Sequence, residues 1–128
     1  MTLTQRDMPR VVVTGATGFI GRYLVNFLLE NKYRVFVYSR HEFSADFFPG
    51  IKRDDWITGE IEDKQTLIKA CADADAIVHL ANLSHVGLDG AANQYCFNVK
   101  STQSVCQACL DGGTKSLVYL SSVLAENP

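Results

Sequence analysis

Apolar residues along this chain fall into short blocks of two kinds that take turns. Val11-Val12-Val13, Val35-Phe36-Val37-Tyr38, Ala76-Ile77-Val78 and Leu117-Val118-Tyr119-Leu120 are unbroken runs of strand length, rich in branched and aromatic side chains. Between them apolar positions recur at helical spacing, as Ile20, Leu24, Val25, Leu28 and Leu29 do. The pattern predicts strand 10–14, helix 19–31, strand 34–38, a short helix near 42–48, strand 54–58, helix 63–72, strand 75–80, helix 91–112 and strand 116–121. Strands that alternate with helices run parallel through right-handed crossovers, and parallel strands covered on both faces read as continuous apolar runs. The expected architecture is an α/β parallel sheet with strand order 3-2-1-4-5 and helices on both faces.

The junction after the first strand carries the most chemistry. Thr14-Gly15-Ala16-Thr17-Gly18-Phe19-Ile20-Gly21 joins a β-branched strand to an amphipathic helix. A phosphate needs backbone N–H groups aimed at it from close range, and a helix N-terminus offers both unpaired donors and the positive end of a dipole. Gly15 permits a tight turn, Gly18 lets a pyrophosphate approach the backbone, and Gly21 lets the first helical turn pack on the sheet. The chain is thus expected to form a Rossmann-type three-layer domain with its ligand beyond the carboxyl ends of the first and fourth strands, where the order reverses.

The spacing Gly-x-x-Gly-x-x-Gly resembles the cofactor turn of the short-chain dehydrogenase/reductases, and Gly-Phe-Ile-Gly resembles their extended branch, the NAD-dependent epimerase/dehydratase family. Asp75-Ala76-Ile77-Val78-His79-Leu80-Ala81 is similar to that family's fourth strand, Asp-x-Val-Ile-His-Leu-Ala. Tyr95-Cys96-Phe97-Asn98-Val99-Lys100-Ser101-Thr102 resembles Tyr-x-x-Asn-Val-x-Gly-Thr, with Ser101 in place of Gly. The resemblance implies that Gly15, Thr17, Gly18, Phe19, Ile20 and Gly21 hold a dinucleotide. It implies that Glu60 and Ile61 lie against the adenine, and that small Ala81 passes close to the ribose and nicotinamide side. Asp63 in that turn also reads as a helix N-cap. His79, on a buried strand, reads as structural. The loop 82–87 is a substrate-loop candidate.

At the end of the second strand, eighteen residues beyond Gly21, an NAD-selective site places a carboxylate; this chain has Ser39 followed by Arg40. Nothing there repels a 2′-phosphate, and Arg40 offers a bidentate cation, with His41 and Arg22 as further helpers, so NADP is favoured over NAD. After the fifth strand, Ser122 matches the family's substrate-facing hydroxyl, the catalytic residue of this segment. Such a hydroxyl polarises the oxygen at the carbon that exchanges hydride. The family's Tyr-x-x-x-Lys proton-transfer pair falls later than Pro128, and Glu126-Asn127 stands where many relatives have Tyr-Gly. The resemblance therefore implies the N-terminal cofactor-binding portion of an epimerase, dehydratase or reductase acting on a nucleotide sugar, truncated after the fifth strand. A non-catalytic dinucleotide sensor of the same fold is the competing reading.

Composition narrows the remaining classes. The 128 residues are 47% apolar and 20% charged with net charge −2, the balance of one domain with a real core: a flexible leader at 1–9 and the dinucleotide-binding domain at 10–128. There is no run of clustered Lys or Arg, so nucleic acid is not an expected partner. No apolar run approaches the ~18 residues of a membrane span, and Met1 to Pro9 lacks a signal-peptide core, so the expected location is cytoplasmic with no membrane partner. Cys106-x-x-Cys109 lies in a helical pattern without a second ligand pair, which predicts small buried hydrophobes and no metal. The open edge of the fifth strand is a route to self-association, so a homo-oligomer is a further expectation.

Overall fold

Val11, Val12 and Val13 are branched at Cβ and favour extended backbone. In the computed structural model, which describes residues 4, 7–82 and 90–121, they form β1 (Arg10–Thr14), the central strand of a five-stranded parallel sheet. Around it run β2 (Arg34–Ser39), β3 (Trp56–Thr58), β4 (Ala76–His79) and β5 (Ser116–Tyr119), in the order β3-β2-β1-β4-β5. Val12 faces Phe36 of β2 on one side and Ile77 of β4 on the other, and Ile77 continues to Leu117 of β5. This is the strand order that the apolar runs predict.

Alternate residues of β1 feed two apolar clusters. Val11 and Val13 pack with α1 (Phe19–Glu30) and with Phe48, Ile51 and Trp56 on one face; Val12 packs with α2 (Lys64–Cys71) and α3 (Gly90–Gly112) on the other. The buried face of α1 is Gly21, Val25 and Leu28, flanked by partly buried Leu24 and Leu29. Ile20, expected in that stripe, is instead exposed, because the close packing of Gly21 rotates the helix so that Ile20 turns outward. Burial of a Val or Leu side chain stabilises by about 1.5–3 kcal/mol, so this face is decided by Val25 and Leu28.

Two further expectations are corrected. No helix forms near 42–48: the Ser44 hydroxyl accepts from Asp46 N–H at 3.3 Å, competing for a helical donor, and Pro49-Gly50 stops any continuation. The segment instead folds through turns that turn Phe43, Phe47 and Phe48 toward the core beside Trp56. β3 begins only at Trp56, since Arg53–Asp55 forms a 3-10 turn anchored by the Arg34–Asp55 ion pair at 2.9 Å. On β5 every residue is exposed, in contrast to fully buried Val12 and Val13.

Candidate functional site

β1 delivers the chain into a turn whose shape is set by what cannot fit. Gly15 has φ +69°, a left-handed conformation that side chains rarely adopt, and a Cβ there would stand 2.6 Å from the Leu80 carbonyl carbon and 2.7 Å from Ala81 N. At Gly21 a Cβ would overlap the Gly15 carbonyl oxygen and sit 2.6 Å from Ala16 Cα. Both glycines are demanded by the fold. Gly18 differs: it is extended, with φ −75° and ψ 179°, and a Cβ would meet only the Gly15 oxygen, at 3.3 Å. Its missing side chain leaves open the space in front of the turn.

Gly18 is also the N-cap of α1. Among the described residues no side-chain hydrogen bond caps this helix, and its first turn carries no acid. The N–H groups of Phe19, Ile20 and Gly21 have no intrahelical acceptor, and they carry the positive end of the helix dipole. An uncapped N-terminus with a small residue at its mouth suits an anion.

The turn forms one wall of a cleft of about 310 Å³ at the carboxyl ends of the strands. Thr14, Gly15, Thr17 and Gly18 line it from the turn, Tyr38 to His41 from the end of β2, and Gly59, Glu60 and Ile61 from the β3–α2 turn. Leu80, Ala81 and Asn82 line it from beyond β4, and Phe97 from α3. Of the residues expected at a cofactor, Gly15, Thr17, Gly18, Ser39, Arg40, Glu60, Ile61 and Ala81 meet at this cleft. Phe19, Ile20 and Gly21 form the first turn of α1 and do not line the cleft, with the Phe19 and Ile20 side chains exposed. Ser122 and loop positions 83–87 lie outside the described residues.

Three hydrogen-bonded groups shape the walls. Thr14 Oγ1 accepts from Leu80 N at 3.2 Å and Ala81 N at 3.3 Å, and lies 2.6 Å from His79 Nδ1. With both backbone donors accepted, the hydroxyl proton goes to Nδ1, which assigns the imidazole proton to Nε2. Among the described residues that nitrogen of His79 is buried without a hydrogen-bond partner. Burial pushes its pKa down to about 4, keeping it neutral. Tyr38 donates to the Glu60 carbonyl at 2.8 Å, over Gly59, where a Cβ would stand 2.6 Å from the phenol oxygen. Burial, reinforced by Asp63, Cys71 and Glu60, raises the phenol to about 12, so it remains a donor. Asp63 caps α2, accepting from Thr66 N at 3.2 Å and Thr66 Oγ1 at 2.6 Å; these bonds hold its carboxyl below the ordinary range.

The sequence reading missed Tyr38 and Phe97 as cleft residues, whereas Asn82, the first residue of the expected substrate loop, does line the cleft. Phe97 continues the buried stripe Ser101, Val105 and Ala108 by one turn, and that spacing was a usable signal. Cys106, expected to be buried, is exposed, whereas Cys109 is buried beside Cys71. The inward face of α3 passes through 105, 108 and 109, which leaves 106 outward. Among the described residues no group of three His, Cys, Asp or Glu side chains could hold a metal ion, and no helix is long and apolar enough to cross a membrane.

The model of the NAD dependent epimerase/dehydratase family matches residues 11–126. The inverting UDP-N-acetylglucosamine 4,6-dehydratase of Campylobacter jejuni subsp. jejuni serotype O:23/36 (strain 81-176) is 30% identical over 125 residues, covering 92% of this chain and 37% of its own. The 3 beta-hydroxysteroid dehydrogenase type 7 of Rattus norvegicus is 31% identical over 123 residues, covering 91% and 36%. Among solved structures, UDP-glucose 4-epimerase from Brucella ovis in complex with NAD superposes with a TM-score of 0.78 at 26% identity, over 94% of this chain and 38% of that one. The chain thus spans little more than a third of the length of the curated relatives it matches.

Proposed function

This chain belongs to the NAD-dependent epimerase/dehydratase family, and from that premise we propose that it forms the dinucleotide-binding part of an NAD(P)-dependent enzyme acting on a nucleotide sugar. The observation that carries this reading is Gly18, a glycine that its extended backbone does not demand and where a Cβ would press on one atom, the Gly15 oxygen at 3.3 Å, far less severely than at Gly15 or Gly21, at a helix N-terminus on the cleft wall. The fit to a pyrophosphate rests on that open space and on the free N–H groups behind it. Bound nicotinamide supplies hydride exchange at a sugar carbon.

The residues of the chain bind and orient. Phe19, Ile20 and Gly21 donate N–H groups to the pyrophosphate, and Thr17 lines the cleft on the same turn. Glu60 accepts from the adenine amino group while the Ile61 backbone pairs with the ring. Tyr38 fixes the Glu60 carbonyl, and so the turn that presents both. Ala81, held through its N–H by Thr14, keeps the nicotinamide side free of bulk. Ser39 and Arg40 select NADP over NAD, because no carboxylate stands at the end of β2 to repel a 2′-phosphate and a guanidinium is there to pair with it. Ser122, which follows β5 in sequence, holds the reacting oxygen of the substrate.

The nucleotide-sugar assignment is supported by the dehydratase and epimerase relatives; the hydroxysteroid dehydrogenase of similar identity supports a second reading, the same hydride step at a sterol alcohol. The test is the protein carried on beyond Pro128, incubated with NADP or NAD and a panel of UDP-sugars and 3β-hydroxysteroids, with products identified by mass spectrometry. Conversion of a UDP-sugar is expected. Conversion of hydroxysteroids alone would transfer the chain to the second reading. Binding without conversion, together with absence of a Tyr-x-x-x-Lys pair in the chain that follows, would leave a dinucleotide sensor.

A further inference from the structure

Tyr38 carries a hydroxyl where the sheet needs only a hydrophobe. It stands in β2 between Thr14 of β1 and Ile57 of β3, is 2% exposed, and packs in the cluster that holds Val12, Leu67 and Ile77. A phenol oxygen buried there has to find a partner. It donates to the Glu60 carbonyl at 2.8 Å, and Gly59 makes the room. Among the described residues the glycines with positive φ are Gly15 and Gly113, so the backbone at 59 does not itself call for glycine. A Cβ there would nevertheless stand 2.6 Å from the phenol oxygen and 3.1 Å from Cζ of the same ring. Gly59 is matched to Tyr38.

The bond goes beyond what the carbonyl needs for satisfaction. The Glu60 carbonyl already accepts from Asp63 N at 3.0 Å, which closes the turn, and Gly59 N donates to the Ser39 carbonyl at 2.9 Å. Asp63 in turn caps α2 through Thr66. The turn is thus tied to the end of β2 by backbone, to α2 by a cap, and at Glu60 to the side chain of an inner strand. Glu60 and Ile61 line the cleft on this turn. Burial raises the phenol to about 12, so it stays a donor at any working pH.

We propose that Tyr38 is a positioning residue for base recognition: by holding the Glu60 carbonyl it fixes where the β3–α2 turn meets the ligand, and so confers a preference for adenine over hypoxanthine. This rests on the reading of Glu60 and Ile61 as the adenine contacts. Adenine presents an amino donor beside an unprotonated ring nitrogen, which a carboxylate and a backbone N–H complement. Hypoxanthine presents a carbonyl oxygen beside an N–H, reversed at both places, so it forms neither bond. Hydrogen bonds weaken steeply with misalignment, and a displaced turn takes from adenine what hypoxanthine never had.

The test is calorimetric titration of the adenine and hypoxanthine forms of NADP and of NAD into wild type, Tyr38→Phe and Gly59→Ala, with thermal melts on each. Tyr38→Phe keeps the ring in the core and leaves the Glu60 carbonyl its bond from Asp63, so the fold is retained. Gly59→Ala displaces the same turn by pressing on the phenol from the other side. Wild type is expected to prefer adenine, and in each variant that preference should shrink roughly three- to tenfold through weaker binding of the adenine form, with the hypoxanthine form little changed. A merely structural role would weaken both forms together. An unchanged preference in Tyr38→Phe, whether both forms bind as before or both weaken alike, would overturn the role of Tyr38 alone. Equal binding of the two forms by wild type would overturn instead the adenine contacts on which it rests.

Discussion

The two turns that meet at the cleft are held in opposite ways. In the turn from Gly15 to Gly21 the backbone is in contact with backbone: Gly15 lies against Leu80 and Ala81, and Gly21 lies against Gly15 and Ala16, with no room for a single added carbon. In the turn from Ser39 to His41 the shape comes from side chains, the Ser39 hydroxyl and the Trp56 indole, and charged groups stand exposed on it. The first can vary little and serves any dinucleotide, since a pyrophosphate is common to all of them. The second can exchange its charges at little cost to the fold. Binding is therefore built into the packing of the sheet, whereas selectivity is carried on a replaceable surface.

The sharpest way to break this comparison is Gly21→Ala. Overpacking a well-filled site costs about 1–3 kcal/mol and occasionally more. Here the obstructing atoms are backbone on both sides, so the expected loss is at or above about 3 kcal/mol, read as a fall in the urea midpoint. An unchanged midpoint would mean that the glycine turn is as replaceable as the other one.

Arg40→Ala tests the opposite turn. It should leave the melting temperature unchanged and weaken NADP by about 1.5–3 kcal/mol, roughly ten- to a hundredfold, while NAD binding changes little. Equal losses for both cofactors would remove Arg40 from the phosphate site.

A smaller effect links the first turn to pH. Burial depresses His79 from 6.5 to about 4, so between those values the unfolded chain takes up a proton that the folded chain refuses. Stability should thus be fully present above pH 6.5 and decline as the pH falls toward 4. His79→Gln, followed by urea unfolding across this range, should flatten that part of the profile. A slope unchanged by the substitution would assign the acid sensitivity to other groups.

Much of the architecture was legible in the sequence because parallel strands covered on both faces carry unbroken apolar runs, as Val11 to Val13 and Ala76 to Val78 do. The glycine turn was legible for a related reason: a backbone that excludes Cβ leaves a letter in the sequence at each excluded position. What failed depended on partners distant along the chain. The segment near 42–48 read as a short helix, yet it folds through turns whose Phe43, Phe47 and Phe48 pack beside Trp56. Ile20 fits helical spacing, yet the contact of Gly21 with Gly15 sets the helix rotation. Tyr38 read only as a strand residue, because its bond to the Glu60 carbonyl spans 22 positions. Phe97 lines the cleft from α3, a helix distant in sequence from the other walls.

The central claim is that the space in front of Gly18 is kept open for a ligand and not for the fold. Gly18→Val addresses it directly, since φ −75° with ψ 179° is extended backbone that Val accepts and its Cβ would press on the Gly15 oxygen at 3.3 Å, a shift of a few tenths of an ångström where Gly21 would need far more. NADP should be titrated calorimetrically into wild type and variant, with thermal melts recorded on both. The account predicts loss of measurable binding with a melting temperature close to that of wild type. Wild-type affinity in a folded variant would contradict it.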